Sequence, residues 1–301
     1  MLENMTAIQN SKEGDAHIGH LFWYSVGEDL YSRALLEQTL VQTGLSTGFM
    51  PHEIRVSDAF RRATKEVESS LNLGNGVSEN YMIRDVYADS HTTIRHIVKE
   101  QVDSVGKRLS YNENEAIFTL DKKTDKMSFS AASNSYSWEL CTEAMRLFEV
   151  FKNNHNGQAV RGMVQSVLKT LSPTPVRPSG GVYFVPASYD DELERLTNFC
   201  SAFPKGEGFK IQVVNSTESL KMVEQKVSDH LDALYSQCKY AATEGTLPKS
   251  KITEIIDEAK RVITGFKNYE TILSQKKDEM ENKLILIRDS VSILLEKAGD
   301  T

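Results

Sequence analysis

Residues 252–297, ITEIIDEAKRVITGFKNYETILSQKKDEMENKLILIRDSVSILLEK, hold no proline and one interior glycine, Gly265. Their apolar positions run Ile252, Ile255, Ala259, Val262, Phe266, Tyr269 and Leu273. After Lys276 they resume with Met280, Leu284, Ile287, Val291 and Leu294. Steps of three and four residues make the seam of an amphipathic helix with heptad character. The extra four-residue step across Lys276, Met280 and Leu284 is a stutter, which locally unwinds a supercoil. The spacing predicts one long helix, and a stripe of that length needs a partner surface along all of it.

The only neighbour of matching pattern lies just upstream. From about Thr217, with Ser216 as its cap, Leu220, Val223, Val227, Leu231, Leu234 and Cys238 line one side of a first arm. The link EGTLPKS (Glu244–Ser250) is short enough to favour antiparallel neighbours. At about 1.5 Å per residue the arms reach about 42 Å and about 69 Å, so roughly 18 residues, Glu279 to Glu296, outrun the first arm. They carry Met280, Leu284, Ile287, Val291, Leu294 and Leu295, the candidate protein interface. Either this overhang folds back as a core helix, or it docks on another protomer or a foreign protein. Leaving it bare costs on the order of 1.5–3 kcal/mol per side chain.

Working towards the N-terminus, His17–Val26 is aromatic and β-prone, and Glu28 to about Thr43 reads as a helix closed by Gly44. Ser57 or Asp58 caps a helix over DAFRRATKEVESSL, after which NLGNGVSEN breaks the pattern. Tyr81–Ser130 reads as a β-meander with a hairpin turn at Asp121–Lys126. A one-sided sheet needs a cover, and the helices expected over 137–152 and 158–171 supply it. Strands over 182–186 and 209–214 flank a helix from about Asp190 to Phe203. The expected fold is α+β: an antiparallel β-meander covered by helices, then a long C-terminal antiparallel helical hairpin, coiled-coil-like. The domains are expected to be a flexible tail over 1–16, an α+β body over 17–215 and the hairpin over 216–301.

Composition narrows the function classes. No apolar run approaches membrane-spanning length, and the polar, acid-bearing start MLENMTAIQNSKEGDAH lacks the pattern of a secretory signal. Three cysteines, Cys141, Cys200 and Cys238, stand far apart without a CxxC, so reduced buried thiols in a cytoplasmic setting are expected rather than a zinc site. A formal net charge of −7, with neither half basic, gives no signal for broad phosphate binding.

Several constellations carry possible chemistry. Arg177-Pro-Ser-Gly-Gly-Val-Tyr183 could bring backbone amides and a guanidinium to an anion. Its glycines precede a strand, however, where phosphate loops place them before a helix, so a structural turn is the plainer reading. Arg55, Arg61, Arg62 and Lys65, extended by Arg95, Lys99, Lys107 and Arg108, form a candidate nucleic-acid stripe. It lacks interleaved aromatics and is diluted by Glu53, Asp58, Glu66 and Glu68. His17 and His20, three apart in a strand, are expected on opposite faces. The acids Asp190, Asp191, Glu192 and Glu194 suit the first turn of a helix; they could recruit a divalent ion, but no matching acid cluster stands elsewhere, so the helix turn is the plainer reading. His230, beside the first arm's seam, is read as a partly exposed flanking histidine. No serine-nucleophile, P-loop or dinucleotide motif occurs, so no catalytic residues, cofactor or metal are assigned.

With IGHLFWYSV, IRVSDAFRRAT, GKRLSY and PTPVRPSGGVYFVP in view, the chain resembles an uncharacterised family found in bacteria and their phages, over Ile18 to about His230. The resemblance carries no activity and no catalytic residues. It implies a mobile-element setting, in which small non-enzymatic proteins bind and block host defence complexes. The expected function is a protein-interaction module that self-associates, with a host protein complex as a further partner and no membrane, in the cytoplasm of a bacterial host cell. A nucleic-acid-binding accessory protein is the alternative, and an enzyme with an unfamiliar site around Arg177–Tyr183 the third reading.

Overall fold

The computed structural model describes residues 17–177, 181–243, 247–270, 272–273 and 276–299. The sequence readings for 1–16, 178–180 and 244–246 lie outside the described residues. In chain order the elements are β1 (His17–Ser25), β2 (Leu30–Ser32), α1 (Arg33–Gln42), α2 (Val56–Glu66), β3 (Ser69–Gly74), β4 (Val77–Ala88), β5 (Thr92–Val102), β6 (Arg108–Asp121) and β7 (Lys126–Ala131). They continue with α3 (Tyr136–Asn153), β8 (Asn154–Asn156), α4 (Gly157–Leu168), β9 (Thr174–Pro175), β10 (Tyr183–Pro186), α5 (Asp190–Ser201), β11 (Glu207–Val214), α6 (Thr217–Thr243), α7 (Lys249–Gly265) and α8 (Lys277–Gly299). The fold is α+β and divides into two compact units: one takes 30–36 and 51–156, the other the remaining described chain.

The first unit contains the expected meander, β4 to β7, and adds β3 at its edge, where the expected helix would have run on to Leu71; the five antiparallel strands stand in sequential order β3-β4-β5-β6-β7. Tyr81, Ile83, Ile97, Ala116, Phe118, Leu120 and Met127 point to one face and are buried there. The cover is α3 together with α2, whose Phe60 meets Phe148 edge-on at 6.4 Å. The expected second cover helix, over 158–171, is α4 and belongs to the other unit. Periodicity shows that a helix has an apolar stripe, but not which sheet receives it. The break read at NLGNGVSEN is instead a hairpin between β3 and β4. Asn75 and Gly76 have φ of 52° and 75°, the conformation of a tight Asn-Gly turn.

In the second unit four antiparallel strands lie in the order β11-β1-β10-β9. Strand β10 lies between β1 and β9; Val176 N–H donates to Val182 O at 3.0 Å, and Gly181 has φ of 66°. Helix α5 packs closely on β11, where the Cβ position of Gly208 lies 2.8 Å from Thr197 O. Ile18, Phe184 and Val213 share one core with α6, α7 and α8. Residues from 216 onward therefore complete the sheet's core rather than forming a hairpin of their own.

The long C-terminal helix is a second correction. Helix α7 ends at Gly265, a single 3-10 turn runs over Phe266–Tyr269, and α8 starts at Lys277. The cause is tertiary. Gly265 abuts Ser172, whose Oγ fills the space a Cβ would take. Tyr269 is buried and donates to Ser172 O at 2.6 Å, while Thr174 Oγ1 donates to the Tyr269 hydroxyl at 2.9 Å. Those anchors hold the chain where glycine, a poor helix former, offers least resistance to a break. The stutter at Lys276 marks the restart. Helix α8 then packs beside α6 and α7.

Candidate functional site

Helix α8 carries apolar residues on two faces. Met280, Leu284, Ile287, Val291 and Leu294 are buried in the core of their own unit, so this part of the candidate interface is already covered. The overhang argument fails because α8 turns back and finds its cover within the chain. Leu295, the sixth candidate, is 46% exposed. Around the helix from the buried stripe, Ile285 (51%), Leu286 (45%) and Ile293 (48%) form a second apolar row open to solvent, with exposed Asp289 among them. This second row escaped the sequence reading because the heptad seam accounts for the first alone. Its signal was the run Leu284–Ile287, four consecutive aliphatic residues, which wraps around a helix instead of keeping to a stripe.

The basic candidates near α2 are mostly engaged. Arg61 lies 4.0 Å from Asp58, Lys65 is ion-paired with Glu68, and the Arg62 guanidinium sits 3.8 Å from the Phe151 ring centroid. Arg95 is a buried strut: its guanidinium donates to Asp85 Oδ1 at 2.7 Å, Thr64 Oγ1 at 2.6 Å and Arg61 O at 2.9 Å. Lys99 pairs with Glu79 and Glu115, and Arg108 with Glu100. The structure does bring exposed Arg55 together with Arg62, His52, Asn154 and His155 along one groove, shared with Glu53 and Asp58. Arg177 is exposed. His230 is a cross-helix partner, its Nε2 3.7 Å from Glu258 on α7. The three cysteines are free and buried, and burial pushes the Cys141 and Cys200 thiols up to about 12.

A polar cluster that the sequence reading divided lies between β1 and α5. His17 pairs with Val214 and Gly19 with Val213, so two residues of β1 pass one step of β11. This bulge resets the alternation and brings His17 and His20 to one side, their ring centroids 4.9 Å apart. His20 is 1% exposed, and its Nε2 is 3.5 Å from Asp190 Oδ1 at the start of α5. Lys210, from β11, bridges Asp190 and Glu194 at 2.7 Å each. One donor atom from each of His17, His20 and Asp190 falls within 4.8 Å of the others, the set among the described residues able to hold a metal ion.

The electrostatics follow from burial and this pairing. Burial is the main cause that holds the His20 imidazole below its ordinary range, against the opposite pull of Asp190. Burial tends to raise the Asp190 carboxyl, but the Lys210 ammonium and His20 hold it below the usual carboxylate range. Near pH 7 His20 is therefore a neutral imidazole and Asp190 a carboxylate, a ligand-type pair of charge states. Among the described residues, the buried side-chain polar atoms without a hydrogen-bond partner are His17 Nε2, His20 Nδ1 and Asp29 Oδ2; two of the three lie in this cluster.

The fold defines an α+β protein with a meander unit and a second unit of a four-stranded sheet with helices, and no described helix is long and apolar enough to cross a membrane. The chain belongs to DUF6744, a family of unknown function, whose model matches residues 17–300. No curated protein and no solved structure matches the chain.

Proposed function

We propose that this protein is a non-enzymatic interaction module that self-associates through the outer face of α8. The observation that carries this reading is the second apolar row, Ile285, Leu286 and Ile293, about half exposed on a helix whose other side is already buried. A helix apolar on both sides needs cover on both. Each half-exposed aliphatic side chain forgoes on the order of 1 kcal/mol of burial. The row suits a second copy of itself. In an antiparallel pairing across a two-fold axis near Asp289, Leu286 and Ile293 exchange places. Blocking of a host protein complex by a phage-encoded protein, the finer expectation, would use the same face and compete with this pairing.

Light scattering across a concentration series tests the proposal. A mass above the single-chain 33.9 kDa, restored to that value by Ile285→Glu with Ile293→Glu, is the expected result. A single-chain mass at every concentration defeats it.

A second reading, nucleic-acid binding, is favoured by the shared groove of Arg55 and Arg62. It expects a salt-sensitive mobility shift that Arg55→Glu with Arg62→Glu removes. The absence of any shift at low salt ends it.

A further inference from the structure

Two imidazoles and one carboxylate converge at the junction of β1 and α5, from residues sharing no sequence motif. His17 and His20 reach one side only because the bulge at Ile18 breaks the alternation of β1. Bulges of this kind re-aim side chains and recur beside functional sites. A buried imidazole nitrogen without a partner is rare in folded proteins and calls for an explanation. Here there are two such atoms, His17 Nε2 and His20 Nδ1, on rings in edge contact. Aliphatic or hydrogen-bonded residues would be the cheaper filling if packing alone were at stake.

We propose that His17, His20 and Asp190 bind one divalent transition-metal ion, and that Lys210 occupies the carboxylate in its absence. Nitrogen and oxygen donors in this ratio suit zinc, cobalt, nickel or ferrous iron; magnesium and calcium take oxygen donors almost alone. The donor atoms now lie within 4.8 Å of one another, and metal–ligand bonds of about 2.0–2.2 Å draw such atoms to roughly 3–3.5 Å. The adjustment is small and falls on Asp190, whose side chain is partly exposed at the first turn of α5. Lys210 has a second carboxylate within reach, since its Nζ is 2.7 Å from Glu194. Metal binding therefore exchanges one cation for another at Asp190 and leaves the ammonium paired. Three protein ligands leave coordination positions open to water or a further ligand, unlike a closed four-ligand structural site.

Cobalt(II) titration of the metal-free full-length chain, followed by its visible absorption, tests this. One saturable equivalent, displaced by zinc(II), is expected. Asp190→Asn and His17→Gln should each weaken the affinity at least about tenfold, the size of effect that even outer ligands' partners produce. Lys210→Met should tighten it, because the competing ammonium is gone while the aliphatic stem remains. Circular dichroism reports whether each variant folds. The proposal is overturned if the wild-type chain binds no stoichiometric cobalt, or if both ligand variants bind as tightly as wild type. Should both ligand variants misfold, Lys210→Met decides: unchanged or weaker binding overturns it.

Discussion

The ammonium of Lys283, on α8, lies 2.9 Å from the carboxylate of Asp232 on α6, and the same nitrogen donates to Ser228 Oγ at 2.9 Å. That contact places α8 alongside α6, where an uninterrupted helix through residue 297 would have carried it beyond its neighbour. Lys283 also reaches Glu279 at 3.3 Å on its own helix, so three oxygen-bearing groups share one partly buried ammonium. The pair links the end of the chain to the helix that first joins the sheet core.

A double-mutant cycle of Lys283→Met and Asp232→Asn should give a coupling of about 0.5–1 kcal/mol, small because Asp232 is largely exposed. Urea unfolding of the four variants measures it. Zero coupling would mean that the helices are held by apolar packing alone.

The two faces of α8 should respond differently to truncation. Ile287→Ala removes a fully buried side chain and should cost about 2–5 kcal/mol. Its neighbour Leu286→Ala should change the stability of the single chain by under about 1 kcal/mol. Equal losses at the two positions would show that the outer face is covered within the same molecule.

Arg95→Met should destabilise the meander unit by about 2 kcal/mol, because Asp85, Thr64 and the Arg61 carbonyl lose charge-assisted donors at a buried site. Arg61→Ala, on the solvent side of α2, should fall within about 0.5 kcal/mol. Chemical denaturation of the two variants separates a structural arginine from a surface one.

Burial first, and then the Arg33 guanidinium, hold the His155 imidazole below the ordinary histidine value of 6.5. The folded chain thus binds this proton less readily than the unfolded chain. Its stabilising contribution is complete above pH 6.5 and is lost as the pH falls through the depressed folded value. Urea midpoints should therefore decline as the pH drops below 6.5, and His155→Gln should make that decline shallower. An identical profile in the variant would refute this assignment.

Much of the meander was legible in sequence because β4 to β7 carry β-prone apolar runs, and because Asp121–Lys126 is rich in turn formers. The hairpin at Asn75-Gly76 was equally legible in its dipeptide but was hidden by the polar residues around it. The cover of α2 over the sheet was not legible, since its stripe of Ala59, Phe60, Ala63 and Val67 fits any apolar surface. The polar cluster was least legible of all. Two histidines three apart in a strand belong on opposite faces unless a bulge intervenes, and nothing in HIGHLFWYS announces one. Asp190, some 170 residues away, looked like an ordinary acidic first turn of a helix.

By itself the sequence determined the α+β class and the amphipathic stripes of α6, α7 and α8. These depend on local periodicity and backbone preference, which neighbouring residues fully specify. Only the tertiary structure decided that the last helix breaks after Gly265 and returns. The contacts responsible, Ser172 against Gly265 and Tyr269, join residues nearly a hundred positions apart. It likewise decided that His17 and His20 share a side, because a bulge is set by the register between two strands and is absent from the pattern of either one alone.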